Sequence, residues 1–304
     1  YNEEESVPHF YAETVKQEAF FHERDVEFEF IFVDDGSKDD TVAAVKALRE
    51  KDERVHLVSF SRNFGKEAAI IAGLEKAMGD FTVLMDADLQ DPPAILPEMY
   101  GYIEQGYDSV ATRRVNRKGE PPIRSFFARR FYSLMRKISK TEIVDGARDY
   151  RLMTRQVTNA ILAMKEYNRF SKGIFSWVGF RTKYIEYENV ERAAGTTTWS
   201  FWKLLLYSFE GITAFSTAPL YLAVIMGIVF LVLAIAMAVK TLICGEEMWG
   251  TPLIVTLICL IGGIQLFCMG VMGQYLAKTY MEVKDRPKYI IGETEQGMPR
   301  RNKP

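Results

Sequence analysis

Two aspartates one residue apart, Asp86 and Asp88, open the run Asp86-Ala87-Asp88-Leu89-Gln90-Asp91. Carboxylates this close repel one another unless a cation joins them. An all-oxygen ligand set favours Mg²⁺ or Mn²⁺, hard ions that keep waters and take up substrate phosphates. Such an ion is a Lewis acid, able to neutralise charge building up on a departing diphosphate. The triplet alone also occurs in solvated loops. Its place directly after the apolar run Phe81–Met85 favours the metal reading, because open α/β sheets bind ligands beyond the carboxyl ends of their strands. A second acidic pair, Asp34-Asp35, ends another β-rich run, Glu27–Asp34, and leads into Gly36-Ser37. There the carboxylates can accept hydrogen bonds from a base or ribose, or cap the helix that follows. Neither GxGxxG nor GxxxxGK[ST] occurs, so this is neither a dinucleotide fold nor a P-loop.

The elements that must position these residues alternate in type. Strands are predicted at 27–34, 55–60, 81–85 and 108–112. Helices are predicted at 40–50, with Val42, Val45 and Leu48 on one face, at 66–78, and at 93–105. Pro93 opens the last of these, where its missing N–H costs nothing. Such alternation predicts an α/β domain with a mostly parallel sheet and helices on its faces. Residues 121–140 read as a helix rich in both aromatics and cations, among them Arg124, Phe127, Arg129 and Arg130. It is either an amphipathic helix packed on the sheet or a surface for membrane or phosphate.

The chain has 304 residues and a formal net charge of −2, a balance that does not point to nucleic acid. The mean hydropathy of −0.07 averages two different materials. The first 210 residues are those of an ordinary charged domain, whereas no charged residue occurs at 211–239 or at 248–277. Two membrane spans, 218–239 and 251–275, each meet the requirement of about 20 apolar residues. Trp199, Trp202, Lys203 and Tyr207 mark 197–217 as an interfacial segment, since tryptophan and lysine collect at the membrane surface. Lys278, Lys284, Arg286, Lys288, Arg300, Arg301 and Lys303 make 278–304 a basic tail. By the positive-inside rule that tail is cytoplasmic, and two spans return the chain to the side on which it starts. The predicted organisation is therefore a cytoplasmic domain at 1–196, the interfacial segment, a two-helix hairpin within 218–277, and the tail. Gly262, Gly263, Gly270 and Gly273 would permit close helix packing and hence a homo-oligomer. Cys244, Cys259 and Cys268 lack metal-ligand spacing and read as apolar fillers, and His9, His22 and His56 as surface or strand-flanking residues. The polar, acidic N-terminus is not a cleavable signal peptide.

Tyr1-Asn2-Glu3-Glu4, Val33–Ser37, Arg62-Asn63-Phe64-Gly65-Lys66 and Asp86–Pro93 occur in the order seen in family 2 glycosyltransferases of the GT-A, Rossmann-like fold. With the two spans and the stretch Gly273–Ile290, the whole chain resembles the polyprenyl-phosphate glycosyltransferases. These include bactoprenol glucosyltransferases and, more distantly, dolichol-phosphate mannose synthase. The resemblance implies inverting transfer of glucose or N-acetylglucosamine from a nucleotide sugar, UDP-linked as in bacterial relatives, to undecaprenyl phosphate at the inner membrane. It implies that Tyr1, Glu3, Asp34 and Asp35 line the nucleotide pocket and that Lys66 steadies the donor. Asp86, Asp88 and Gln90 would surround Mg²⁺ or Mn²⁺. Asp149 would lie near the acceptor and Arg192 beside the diphosphate, with Arg124 and Arg129 holding the acceptor phosphate. The family carries an apolar strand and a proline before the Tyr1–Glu4 motif, so that strand is expected to be cut away or absent. A processive polysaccharide synthase shares the catalytic fold, but its QxxRW motif and additional spans are missing. A scaffold that has lost its chemistry would not need Asp86, Asp88 and Gln90.

Overall fold

The computed structural model describes residues 1–114, 144, 146–187 and 251–296, together with positions 220, 224–229, 232 and 236. The 121–140 helix with Arg124 and Arg129, Arg192, the interfacial segment and Arg300, Arg301 and Lys303 lie outside the described residues, as does most of the first span.

Helices α1 (Ser6–Val15) and α2 (Glu18–His22) precede strand β1 (Phe30–Asp34), helix α3 (Thr41–Arg49) and strand β2 (Val55–Phe60). The apolar face of α3 is buried through Val45 in a cluster with Val7, Phe30, Val55 and Leu57. At its start, Thr41 donates from both its backbone N–H and its hydroxyl to Asp39. Helix α4 (Lys66–Lys76), strand β3 (Phe81–Leu84), a short 3₁₀ turn (Pro93–Ile95), helix α5 (Leu96–Glu104) and strand β4 (Ser109–Arg114) follow. From β1 onward these elements match the predicted ones to within a few residues, whereas α1 and α2 were not among the predicted elements.

Strand β5 (Ala147–Thr154), helices α6 (Arg155–Ala163) and α7 (Ser171–Trp177), strand β6 (Thr182–Tyr187), the long helix α8 (Thr251–Val283) and strand β7 (Ile291–Thr294) complete the described chain. The strands form two sheets, β1-β2-β7 and β3-β5-β4-β6. Among the described strands, β1–β2 and β4–β6 pair in parallel, whereas β2–β7, β3–β5 and β4–β5 are antiparallel. The expectation of a mostly parallel sheet is therefore corrected to mixed sheets. The physical reason is that β5 and β7 each enter their sheet reversed, by connections other than the βαβ crossovers of the first 110 residues.

β5 is an interior strand of its sheet, with side chains alternating between two packed faces. Tyr150 and Leu152 face a cluster with Leu96, Met99 and Val110. Met153, on the opposite face, packs with Ile70, Leu74, Val157 and Phe175.

Among the described residues one helix is long and apolar enough to cross a membrane, over Leu260–Val283. It runs eight residues past the predicted end at Tyr275. The predicted basic tail is also different. Residues 278–283 are helical, and Ile291–Thr294 returns to the first sheet as a strand against β2.

Candidate active site

The β3–β5 ladder pairs Phe81 with Thr154 and Leu84 with Arg151. Continued two residues, this register brings Asp86 opposite Asp149. Like charges directly across a ladder destabilise it, and a cation stands between them. Lys66, first residue of α4, places its Nζ 2.8 Å from Asp86 Oδ2 and 2.6 Å from Asp149 Oδ2. Burial works against the Lys66 charge, but Asp149 and Asp86 outweigh it and hold the ammonium above the usual lysine range. Burial likewise opposes the Asp149 charge, and Lys66 and Lys172 overcome it, so this carboxyl lies below its ordinary value. Asp149 is therefore an ionised group at neutral pH, unable to donate a proton.

The loop after β3 is gripped from β5. Arg148 lies 3.3 Å from Asp91 and donates to Gln90 Oε1 at 3.1 Å, while the Tyr150 hydroxyl donates to the Pro92 carbonyl. Tyr187, at the end of β6, donates its hydroxyl to Asp91. Asp91 is 1% exposed. Burial pushes its carboxyl up, and Arg148 and Tyr187 oppose that shift. Asp91, with Tyr187, in turn holds Arg148 above its usual range against burial. Between these anchors Leu89 takes a φ of +58°, a left-handed conformation that costs a bulky residue roughly 1–3 kcal/mol. The Gln90 N–H donates to Asp88 Oδ1 at 3.1 Å across that strained position. The loop is thus fixed in shape, with Asp86 and Asp88 on its outer part and Asp91 inside.

The other acidic strand end is arranged differently. Asp34 accepts the Ser37 N–H and hydroxyl, and the Ser59 hydroxyl at 2.8 Å. Asp35 accepts the N–H groups of Phe64 at 2.6 Å and Gly65 at 2.9 Å. Both aspartates are buried. Their carboxylates hold the Arg62–Lys66 loop and their own turn. Gly36 is required here. Its φ is +69°, and a Cβ would stand 2.5 Å from the Arg62 carbonyl carbon. The first residues close over this turn, with Asn2 N–H donating to Ser37 Oγ and Glu3 N–H to Thr41 Oγ1, both at 2.8 Å. Glu3 itself accepts the Ser6 hydroxyl, and Tyr1 is 48% exposed.

The structure thus brings Lys66, Asp86 and Asp149 into direct contact and sets Gln90 one hydrogen bond from Arg148. It places Asp34 and Asp35 beneath the loop that carries Lys66. Sequence reasoning missed Asp91, Arg148, Lys172 and Tyr187. The signal for Arg148 was its position one residue from Asp149 on a strand, which puts it on the opposite face.

A divalent ion fits what is present. Asp86 and Asp149 share the Lys66 ammonium, and Lys172 and Arg148 add positive charge near Asp149, while an arriving diphosphate would add more negative charge. Among the described residues no three His, Cys, Asp or Glu side chains stand close enough to hold an ion alone. Asp86 and Asp88 would share it with water and the diphosphate, as Mg²⁺ sites commonly do.

The model of the family described as Glycosyl transferase family 2 matches residues 1–162. The chain belongs to glycosyl transferase family 2. Family members align with it nearly end to end. It is 43% identical to the CsbB protein of Bacillus subtilis, over 92% of this chain and 86% of that one. It is 40% identical to the SfII prophage-derived bactoprenol glucosyl transferase of Shigella flexneri, over 98% of this chain and 97% of that one. The prophage bactoprenol glucosyl transferase homolog of Escherichia coli is 42% identical, over 96% and 95% of the two chains.

Proposed function

We propose that this family 2 transferase moves a hexose, glucose or N-acetylglucosamine, from a UDP-sugar to a polyprenyl phosphate at the cytoplasmic face of a bacterial inner membrane. The observation that carries the reading is the Asp86–Lys66–Asp149 contact at the strand ends. The near end-to-end likeness to bactoprenol glucosyl transferases supports the lipid acceptor. The apolar helix Leu260–Val283 supplies a membrane anchor.

In this reading an oxygen of the acceptor phosphate attacks the anomeric carbon as the bond from that carbon to the nucleoside diphosphate breaks, with inversion. A phosphate monoester has a second pKa of about 6, so its oxygen is largely anionic at neutral pH. No strong base is needed. Asp149, held ionised, orients the acceptor or a sugar hydroxyl. Lys66 exchanges one carboxylate partner for a donor phosphate oxygen, adding positive charge where the leaving group develops negative charge. Mg²⁺ or Mn²⁺ held by Asp86 and Asp88, with Gln90 adjacent, would supply Lewis-acid stabilisation of the diphosphate. Arg148 and Tyr187 keep that loop in place through Asp91. Tyr1, Glu3, Asp34 and Asp35 form the nucleotide side, the two buried aspartates acting through the turn they hold. Arg192 is assigned to the diphosphate, and Arg124 and Arg129 to the acceptor phosphate, by their place in the sequence.

The test is incubation of the membrane protein with undecaprenyl phosphate and a panel of nucleotide sugars, followed by mass spectrometry of the lipid. A hexosyl-phosphoryl lipid formed from UDP-glucose or UDP-N-acetylglucosamine is expected. Absence of a glycosylated lipid with every donor overturns the reading.

A further inference from the structure

The segment after the membrane helix makes more contacts with the catalytic domain than a solvated tail requires. Helix α8 attaches to the domain at two separate places. On one side, the Glu282 carboxylate in its last turn accepts the N–H groups of Tyr167 at 2.8 Å and Asn168 at 3.2 Å. That loop leads into α7, where Ser171 donates its N–H and hydroxyl to Glu67, the neighbour of Lys66. On the other side, the chain turns at Asp285, whose φ is +45°, and crosses to the first sheet. Tyr289 stacks on Phe60 with ring centroids 4.8 Å apart, and its hydroxyl donates to Glu75 at 2.5 Å. Ser61 N–H donates to the Ile290 carbonyl at 2.9 Å, and β7 then pairs with β2. Lys46 pairs with Glu293, and the Leu57 N–H donates to Glu295 at 3.1 Å.

We infer that residues 284–296 are a coupling strap which, with Glu282, fixes the height and orientation of the active site above the membrane, making Glu282 and Tyr289 positioning residues for a membrane-held acceptor. A body attached to an anchor at one point swivels about it, whereas attachment at two points holds an orientation. The donor is soluble and reaches the site from any direction. The acceptor phosphate lies at the bilayer surface, so only its encounter depends on where the site is held. This rests on the polyprenyl-phosphate reading above. Orientation matters steeply, because small misplacements of reacting groups cost large factors in rate.

Two kinds of variant loosen the coupling without touching the site. One is a Gly-Ser-Gly-Ser insertion between Asp285 and Arg286, which leaves β7 intact but makes the strap a flexible linker. The other is Glu282→Ala, with Glu282→Gln as the conservative variant that still offers an acceptor oxygen. Each is assayed on a long-chain polyprenyl phosphate in vesicles and on a short, water-soluble prenyl phosphate. The insertion and Glu282→Ala are expected to raise KM for the vesicle acceptor about tenfold and leave kcat/KM on the short acceptor within about twofold of wild type, whereas Glu282→Gln should keep a KM near that of wild type. Parallel losses on both acceptors, or no loss on either, overturn the inference. Wild-type protein inactive on both acceptors overturns the function on which it rests.

Discussion

Asp34-Asp35 and Asp86–Asp88 occupy the same kind of position, each pair at the carboxyl end of a strand, yet their surroundings have opposite character. The first pair is buried and engaged by backbone N–H groups and serine hydroxyls. Asp86 is 38% exposed and meets a flexible lysine side chain instead of backbone. A carboxylate whose lone pairs are taken by fixed donors holds a loop together. One paired with a movable ammonium can exchange that partner for a metal or a diphosphate. In this fold, sequence position marks both pairs, and the identity of the donors tells a carboxylate fixed in a loop from one able to change partners.

The contrast can be broken from either side. Asp88→Ala should reduce transfer of radiolabelled sugar to undecaprenyl phosphate by about 100-fold or more, with only the small drop in melting temperature that loss of the Gln90 N–H bond brings. Undiminished transfer would remove the exposed pair from the chemistry. Lys66→Met removes the cation between Asp86 and Asp149 and should cost about 10- to 100-fold in kcat/KM, with Lys66→Arg retaining part of the activity. Equal activity in all three proteins would show that the ammonium is replaceable.

Asp35→Ala tests the buried pair. It leaves the Phe64 and Gly65 N–H groups without an acceptor and should lower stability by about 1–3 kcal/mol in chemical denaturation. A variant of wild-type stability that binds nucleotide poorly would place Asp35 with the chemistry instead. The smallest effect is expected at Asp52, a carboxylate with a structural role in the connection between α3 and β2. Hydrogen bonds from Arg54, then from Tyr11, hold its carboxyl well below the usual range against burial. A depressed carboxyl stabilises the fold above its unfolded pKa of about 3.9 and loses that contribution as pH falls through the lower folded value. Asp52→Asn should therefore melt earlier than wild type at pH 7, and the gap should close as pH is lowered below about 4. A gap independent of pH would rule out the ionic contribution.

Much of the first half of the fold was legible because each element carries its own local signal. The Val42, Val45 and Leu48 spacing gave α3, and the apolar run ahead of Asp86 gave β3. The direction of β5 was not legible, because antiparallel entry depends on the route taken by the chain before it. Nor was β6, whose alternation in Thr182–Tyr187 is partly polar. The site shows the same division. Asp86 and Asp88 announce themselves by spacing, whereas the contact of Lys66 with Asp149 joins the start of a helix to a strand 83 residues further along the sequence. β7 was least legible of all. Gly292 and its neighbours read as tail, and only the pairing with β2 makes them a strand.

That pairing has a consequence for how the protein is made. Glu295 meets the Leu57 backbone 238 residues later in the chain, so β2 emerges from the ribosome long before its second partner exists. Until then Val55–Phe60 presents an open row of N–H and C=O groups, the kind of edge that pairs with the wrong chain. The first sheet closes only once α8 has been synthesised and β7 has followed it. Biosynthesis thus couples completion of the first sheet to synthesis of the long apolar helix, and a nascent chain halted before residue 284 carries an unfinished, aggregation-prone sheet.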